Sequence, residues 1–296
     1  MIETDDTILK GCGKVSKNLE KIDAKDIGIF VKFVEESYVS STLDGKLYFA
    51  SSTYFRDHEA KYKDEKMGDV NDPYESSDGY VMRTDEIFIR MEGQQKIFRL
   101  PVKKVGINFK TVKPYGICSF MYLSFFDFEE DPTISLKVKE KIKEEFHVKN
   151  NLKIFRLKPE VIDQLKKFQR IEEKNKHAKC VPLIFSNNEF LRVVQNPKNS
   201  MGYGLVNYHD FHKEVEIDEI PDYSKKPDVT VLFNKDISYA GQREYRLIKN
   251  IVKDSEGELF NYPELKGHIF KSSISDIEQR KLLIGYDGSD LFVKDK

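Results

Sequence analysis

The sequence predicts an α+β domain with a large, mostly antiparallel or mixed sheet and several peripheral helices. Short runs of β-compatible residues bounded by turn residues recur along the chain, and residues 80–112 read as a meander of four of them. Residues 115–126, YGICSFMYLSFF, form the most apolar stretch and read as a central buried strand. Two charged segments, 134–146 and 159–174, carry helical signals. No Pro/Ser/Gly-rich linker splits the chain, so a polar lead-in over residues 1–26 is followed by one α+β domain over 27–296.

In chain order, residues 27–33 (IGIFVKF) read as a strand. Residues 34–43 read as a short helix, with Val34, Tyr38 and Val39 near helical spacing. Asp44-Gly45 is a turn, and residues 46–50 form a second strand ending in Ser51-Ser52-Thr53, residues suited to capping. Residues 54–67 can be helical, and residues 68–75 form a turn-rich acidic loop. Residues 153–157 read as a strand, and Pro159 opens the next helix at a position where its missing donor costs nothing. Ile162, Leu165 and Phe168 give that helix a buried face. Residues 180–185 are extended, 189–194 a strand or short helix, and 201–208 a glycine-containing strand. Residues 217–228 form an acidic loop and residues 229–233 a strand. Residues 251–260, interrupted at 254–257, precede two last short strands at 270–274 and 281–284.

Composition narrows the function. The 296 residues hold 49 basic and 50 acidic side chains, so the net charge of −1 gives no global attraction to nucleic acid or an anionic membrane. No apolar run reaches the length of a membrane span, and the acidic N-terminus has no apolar leader core, so a cytoplasmic protein is expected. Cys12, Cys118 and Cys180 are few, odd in number and far apart, which argues for free thiols. His209 and His212 fall on opposite faces if extended, which disfavours a shared metal. Asp69, Asp72 and Glu75 are hard oxygen ligands, but their spacing matches no EF-hand and a solvated loop is the expectation, so no metal ligand is assigned. Phosphate-binding glycine loops, zinc-protease helices, paired C-x-x-C and the G-x-S-x-G elbow are absent.

The densest group of functional side chains is SYAGQREYRLIK, residues 238–249, read as a turn at Gly241 followed by a strand. If the strand begins at Gln242, then Gln242, Glu244 and Arg246 share one face. A carboxylate between an amide and a guanidinium is either a buried ionic network or the edge of an active site.

Residues 45–52 (GKLYFASS), Tyr54-Phe55-Arg56-Asp57, Asn71-Asp72-Pro73-Tyr74-Glu75 and Gln242-Arg243-Glu244-Tyr245-Arg246 together resemble a large bacterial and phage family. That family is marked by an N-D-P-[FY]-E loop and a late Glu-[Tyr/Trp]-Arg strand. Its layout is similar to that of ADP-ribosyltransferases, with a basic residue on an early strand, a Ser/Tyr cluster ending a second strand, and a Q-x-E or E-x-E pair after a late turn. The resemblance implies NAD as the bound cofactor or substrate, Glu244 as catalytic carboxylate, Gln242 as acceptor contact and Arg246 as the residue orienting Glu244. It implies that Lys32, Ser51, Ser52, Tyr54 and Arg56 lie near NAD. It also implies a protein or nucleic-acid acceptor, a possible protein inhibitor, and a role as a toxin or phage-defence effector. Two further readings stay open. One is a non-enzymatic interaction or sensor protein of phage–host conflict. The other is a metal-dependent nuclease using Asp69, Asp72, Glu75 and Glu244, with Lys61, Lys103 and Lys104 meeting phosphates.

Overall fold

The computed structural model describes residues 28–52, 77–90, 97–110, 115–146, 152–185, 187–220, 222, 228–252, 256–278, 282–286 and 291–295. The lead-in, residues 1–26, lies outside them. The strands, in order, are β1 (Gly28–Glu35), β2 (Lys46–Ser51), β3 (Ser77–Arg83), β4 (Glu86–Arg90), β5 (Ile97–Pro101), β6 (Lys104–Lys110), β7 (Tyr115–Ser124), β8 (Phe128–Glu130), β9 (Lys153–Leu157) and β10 (Cys180–Phe185). They continue with β11 (Gly202–Leu205), β12 (Asn207–His209), β13 (Glu214–Val215), β14 (Asn234–Asp236), β15 (Glu244–Asn250), β16 (Gly257–Asn261), β17 (Ile269–Lys271), β18 (Leu282–Tyr286) and β19 (Leu291–Asp295). The α-helices are α1 (Val39–Leu43), α2 (Leu136–Phe146), α3 (Pro159–Lys176), α4 (Asn187–Val194) and α5 (Ile274–Glu278). This is the expected α+β layout with a mostly antiparallel sheet. Among the described residues, no helix is long and apolar enough to cross a membrane.

Eight strands form the main sheet, with β11-β15-β7-β1-β10-β17 in one path and the β2–β16 pair joined to β7. The apolar strand β7 is central, as its composition requires. One edge of β7 pairs with β15 from Glu244↔Met121 to Asn250↔Tyr115. The other edge is shared. β1 pairs with its C-terminal half, Gly28↔Ser124 to Val31↔Met121, and β2 with its N-terminal end, Ala50↔Ile117 and Ser51↔Gly116. The sheet therefore forks beside Cys118–Phe120. Lys32 Nζ donates to the Ser119 carbonyl at 2.9 Å in that fork and lies 5.0 Å from the Phe120 ring centroid. This supplies a donor where no registered strand does.

Alternation along the strands divides the core. Phe30, Val34, Cys118, Phe120, Tyr245 and Leu247 face one side, where α4 adds Phe190, Leu191, Val193 and Val194. Ile29, Val31, Phe33, Met121 and Leu123 face the other, under α3 residues Val161 and Leu165. Further along that second side, Tyr115, Ile117 and Ile248 pack with Val231 and Leu232. The turn before β2 needs Gly45. Its φ is +86°, and an added Cβ would stand 2.2 Å from the Tyr262 carbonyl oxygen.

Several elements differ from expectation. Residues 229–233 form a 3-10 turn, Asp228–Phe233, instead of a strand. Its buried Val231 and Leu232 pack on Ile117 and Ile248, and Arg246 takes the Leu232 carbonyl. That packing favours a curled segment over an isolated extended one. Residues 201–208 divide at Val206 into β11 and β12, because the Val206 N–H bonds to the Glu244 carbonyl and the next three residues pair with β14. Residues 189–194 are helical and fall within α4, with an Arg192–Glu189 ion pair one turn apart. Residues 270–274 form only a short strand before α5.

Candidate functional site

A buried ionic cluster occupies the sheet face between the apolar groups around Met121–Leu123 and Ile117–Ile248. Antiparallel register sets Glu244 beside Met121 and Arg246 beside Ser119. Residues directly opposite share a face, so Ser119 and Arg246 meet there. Arg246 is 1% exposed, Lys235 6% and Glu244 8%.

The Glu244 carboxylate is fully engaged. Oε1 accepts from the Ser119 hydroxyl and from Arg246 Nε at 2.8 Å. Oε2 accepts from Arg246 Nη2 at 3.0 Å and from Lys235 Nζ at 3.4 Å. Four donors match the roughly four acceptor positions of a carboxylate. The Arg246 grip is two-pronged, and its third arm reaches the Leu232 carbonyl. Burial by itself would raise the Glu244 pKa, but Arg246 and Lys235 outweigh it and hold the carboxyl well below its ordinary range. The Glu244 N–H donates to the Tyr208 hydroxyl at 2.9 Å. Burial and the Glu244 charge push that phenol up to about 12.

Gln242 corrects the sequence reading. It ends a 3-10 turn, Ile237–Gln242, and does not lie on β15, so it shares no strand face with Glu244 and Arg246. Arg243 between them is left-handed, with φ +47°, which breaks the two-residue alternation. Its side chain is anchored by Asp127, and its carbonyl by the Tyr122 N–H at 2.9 Å. Gln242 still joins the cluster by another route, since its Oε1 accepts from Lys235 Nζ at 2.8 Å.

Of the residues expected near NAD, the three that are described, Lys32, Ser51 and Ser52, do not gather around Glu244. Lys32 lies on the opposite face of the sheet, because its neighbour Val31 pairs with Met121 on the Glu244 side and side chains alternate. Ser51 and Ser52 are buried at the far end of β7. Ser51 stands opposite Gly116, five positions from the Met121 that faces Glu244, or about 17 Å along the strand. Ser52 Oγ accepts from the Tyr115 N–H at 3.1 Å and so holds the strand end. Tyr54, Arg56 and the Asp69–Glu75 loop lie outside the described residues.

Ser119, Lys235 and Tyr208 complete the cluster and were not singled out in the sequence. Ser119 left one signal, a hydroxyl in the middle of a mostly apolar strand. Lys235, in an ordinary Asn-Lys-Asp, left none.

A second polar group lies on the other side of the short β12–β14 ribbon. β12 turns Tyr208 toward β15 and His209 toward β3, and β14 likewise turns Lys235 and Asn234 apart. Buried Asp78 of β3 accepts from Asn234 Nδ2 at 2.8 Å and from the Tyr80 hydroxyl at 2.9 Å, and meets His209 Nε2 at 2.5 Å. Among the described residues, no group of three or more His, Cys, Asp or Glu side chains could hold a metal.

No protein-family model matches this chain, and no curated protein or solved structure matches it. Fold and site define an α+β sheet protein whose central strands carry one buried ionic cluster.

Proposed function

We propose that this protein is an ADP-ribosyltransferase-like enzyme, acting as a toxin or phage-defence effector, that cleaves NAD at the nicotinamide–ribose bond. The observation that carries the reading is the Ser119–Glu244 hydrogen bond across adjacent central strands, with Gln242 tied to the same carboxylate through Lys235. In this reading Ser119 of β7 is the serine that serves the late-strand glutamate. In the reaction the glycosidic C–N bond breaks and its electron pair leaves with nicotinamide. Positive charge builds on the ribose, which a fixed carboxylate stabilises. The acceptor then bonds to the anomeric carbon and releases its proton. Lys235 holds the longest contact to Glu244, so it is the donor that yields Oε2 to a ribose hydroxyl and turns to the diphosphate. Arg246 and Ser119 keep the carboxylate oriented.

One observation favours a second reading, an interaction protein in which the cluster is structural. All four acceptor positions of Glu244 are occupied and both of its cations are buried. The two readings separate on nicotinamide release from NAD by the purified protein, with cell lysate as a source of acceptors. The transferase reading requires release that is lost in Glu244→Gln and weakened in Ser119→Ala. It also requires a rise in wild-type melting temperature on adding NAD. Neither turnover nor a thermal shift would leave the interaction reading.

A further inference from the structure

We infer that Asp78 and His209 form a separate acid–base site, suited to taking a proton from water or an alcohol as it attacks an ester carbonyl. It does not depend on the NAD reading, because His209 and the Glu244 cluster lie on opposite sides of the β12–β14 ribbon.

The geometry is that of an oriented imidazole. The Asp78 side chain has no exposed surface, and its carboxylate meets His209 Nε2 at 2.5 Å. A carboxylate in that position selects the tautomer with the proton on Nε2, leaving the Nδ1 lone pair as the base. Asp78 is itself fixed by Asn234 and Tyr80. The imidazole is held by rings: Tyr80 stacks at 5.0 Å with planes 27° apart, and Phe211 lies 4.6 Å away, tilted by 51°. The His209 side chain nevertheless keeps 24% of its surface exposed, so solvent and small solutes reach its edge. Among the described residues, no hydrogen bond engages Nδ1. When that nitrogen takes a proton, the buried Asp78 carboxylate stabilises the resulting imidazolium, the arrangement in which an acid orients a general base.

In the step proposed, the water oxygen bonds to the acyl carbon while its proton passes to Nδ1. The ester C–O bond breaks with its electron pair on the leaving alkoxide or phenoxide. The imidazolium returns its proton to that group or to solvent.

Hydrolysis of p-nitrophenyl acetate by the intact protein tests this, with His209→Gln and Asp78→Asn as variants. Wild type should release p-nitrophenolate above the solvent background, His209→Gln should fall to that background, and Asp78→Asn should lie between. Because Asp78 also holds Tyr80 and Asn234, its variant can lose structure. Carbethoxylation of wild-type protein with diethyl pyrocarbonate, mapped by mass spectrometry, therefore runs alongside. His209 should be modified, since its edge is open to solvent. A His209→Gln rate equal to wild type, or a His209 left unmodified while His177 and His268 react, would overturn the proposal.

Discussion

Glu244 is a buried charge made tolerable by its neighbours. A lone carboxylate at this depth would be neutralised by protonation, but Arg246, Lys235 and Ser119 supply the charge and donors that keep it ionised. Removing the anion takes from two buried cations the carboxylate they share. Glu244→Gln should therefore destabilise the fold by about 3–5 kcal/mol, read from urea melts. A loss under about 1 kcal/mol, the range of an exposed pair, would mean that the cluster is solvated. Arg243, one residue earlier, tests the backbone. Its left-handed conformation costs a non-glycine residue about 1 kcal/mol. Both Arg243→Ala and Arg243→Gly lose the Asp127 ion pair, so only backbone strain and chain entropy separate them. The glycine variant should be the more stable by about 1 kcal/mol in denaturant titration, and the reverse order would contradict the left-handed assignment. That φ also explains why Gln242 was misplaced by sequence. Alternation from Glu244 backwards presumes an extended Arg243, and nothing in the letters Q-R-E announces a break there.

At the scale of elements, the two faces of the central sheet are separate packing problems. Leu165 of α3 is fully buried on one face and Phe190 of α4 on the other. Leu165→Ala should cost about 2–5 kcal/mol and Phe190→Ala about 3–5 kcal/mol by chemical denaturation. With no shared cluster, the double variant should equal their sum to within about 0.5 kcal/mol. The fork beside Ser119 makes a further demand. Lys32→Met removes the cation that serves the Ser119 carbonyl, so it should cost about 1.5–3 kcal/mol in the same assay. A neutral result would show that water serves that carbonyl. These elements were legible because the apolar runs of β1, β7 and β10 and the Pro159 start of α3 are local signals. The 3-10 turn at Asp228–Phe233 was not legible. Val229–Phe233 has strand composition, and only the tertiary partners Ile117, Ile248 and Arg246 decide its shape.

At the scale of the molecule, the sheet class and the density of polar side chains at 242–246 were legible in the sequence, while assembly of the cluster depended on register. Ser119 reaches Glu244 because β7 and β15 pair as they do, and Ser51 fails to because β2 meets the far end of β7. Composition carries no information on such pairings. The cluster also fixes how stability follows pH. The folded Glu244 carboxyl is held below its ordinary value of 4.5, so its contribution is complete above that pH and is lost as pH falls below it. Asp236 adds to the same trend. Burial opposes ionisation there, but hydrogen bonds from Ser238 and the Phe211 N–H prevail and lower its pKa. Melting temperature should hold steady down to about pH 5 and then drop. In Glu244→Gln the share of that drop due to residue 244 should be missing. The most direct test of the functional account is nicotinamide release from NAD by wild-type protein and by Ser119→Ala, a variant that leaves both cations on Glu244. The account predicts release by the wild type and a slower rate in the variant at an unchanged fold. Absence of release by the wild type, with no thermal shift on NAD, would contradict it and leave the Glu244 cluster as a structural brace.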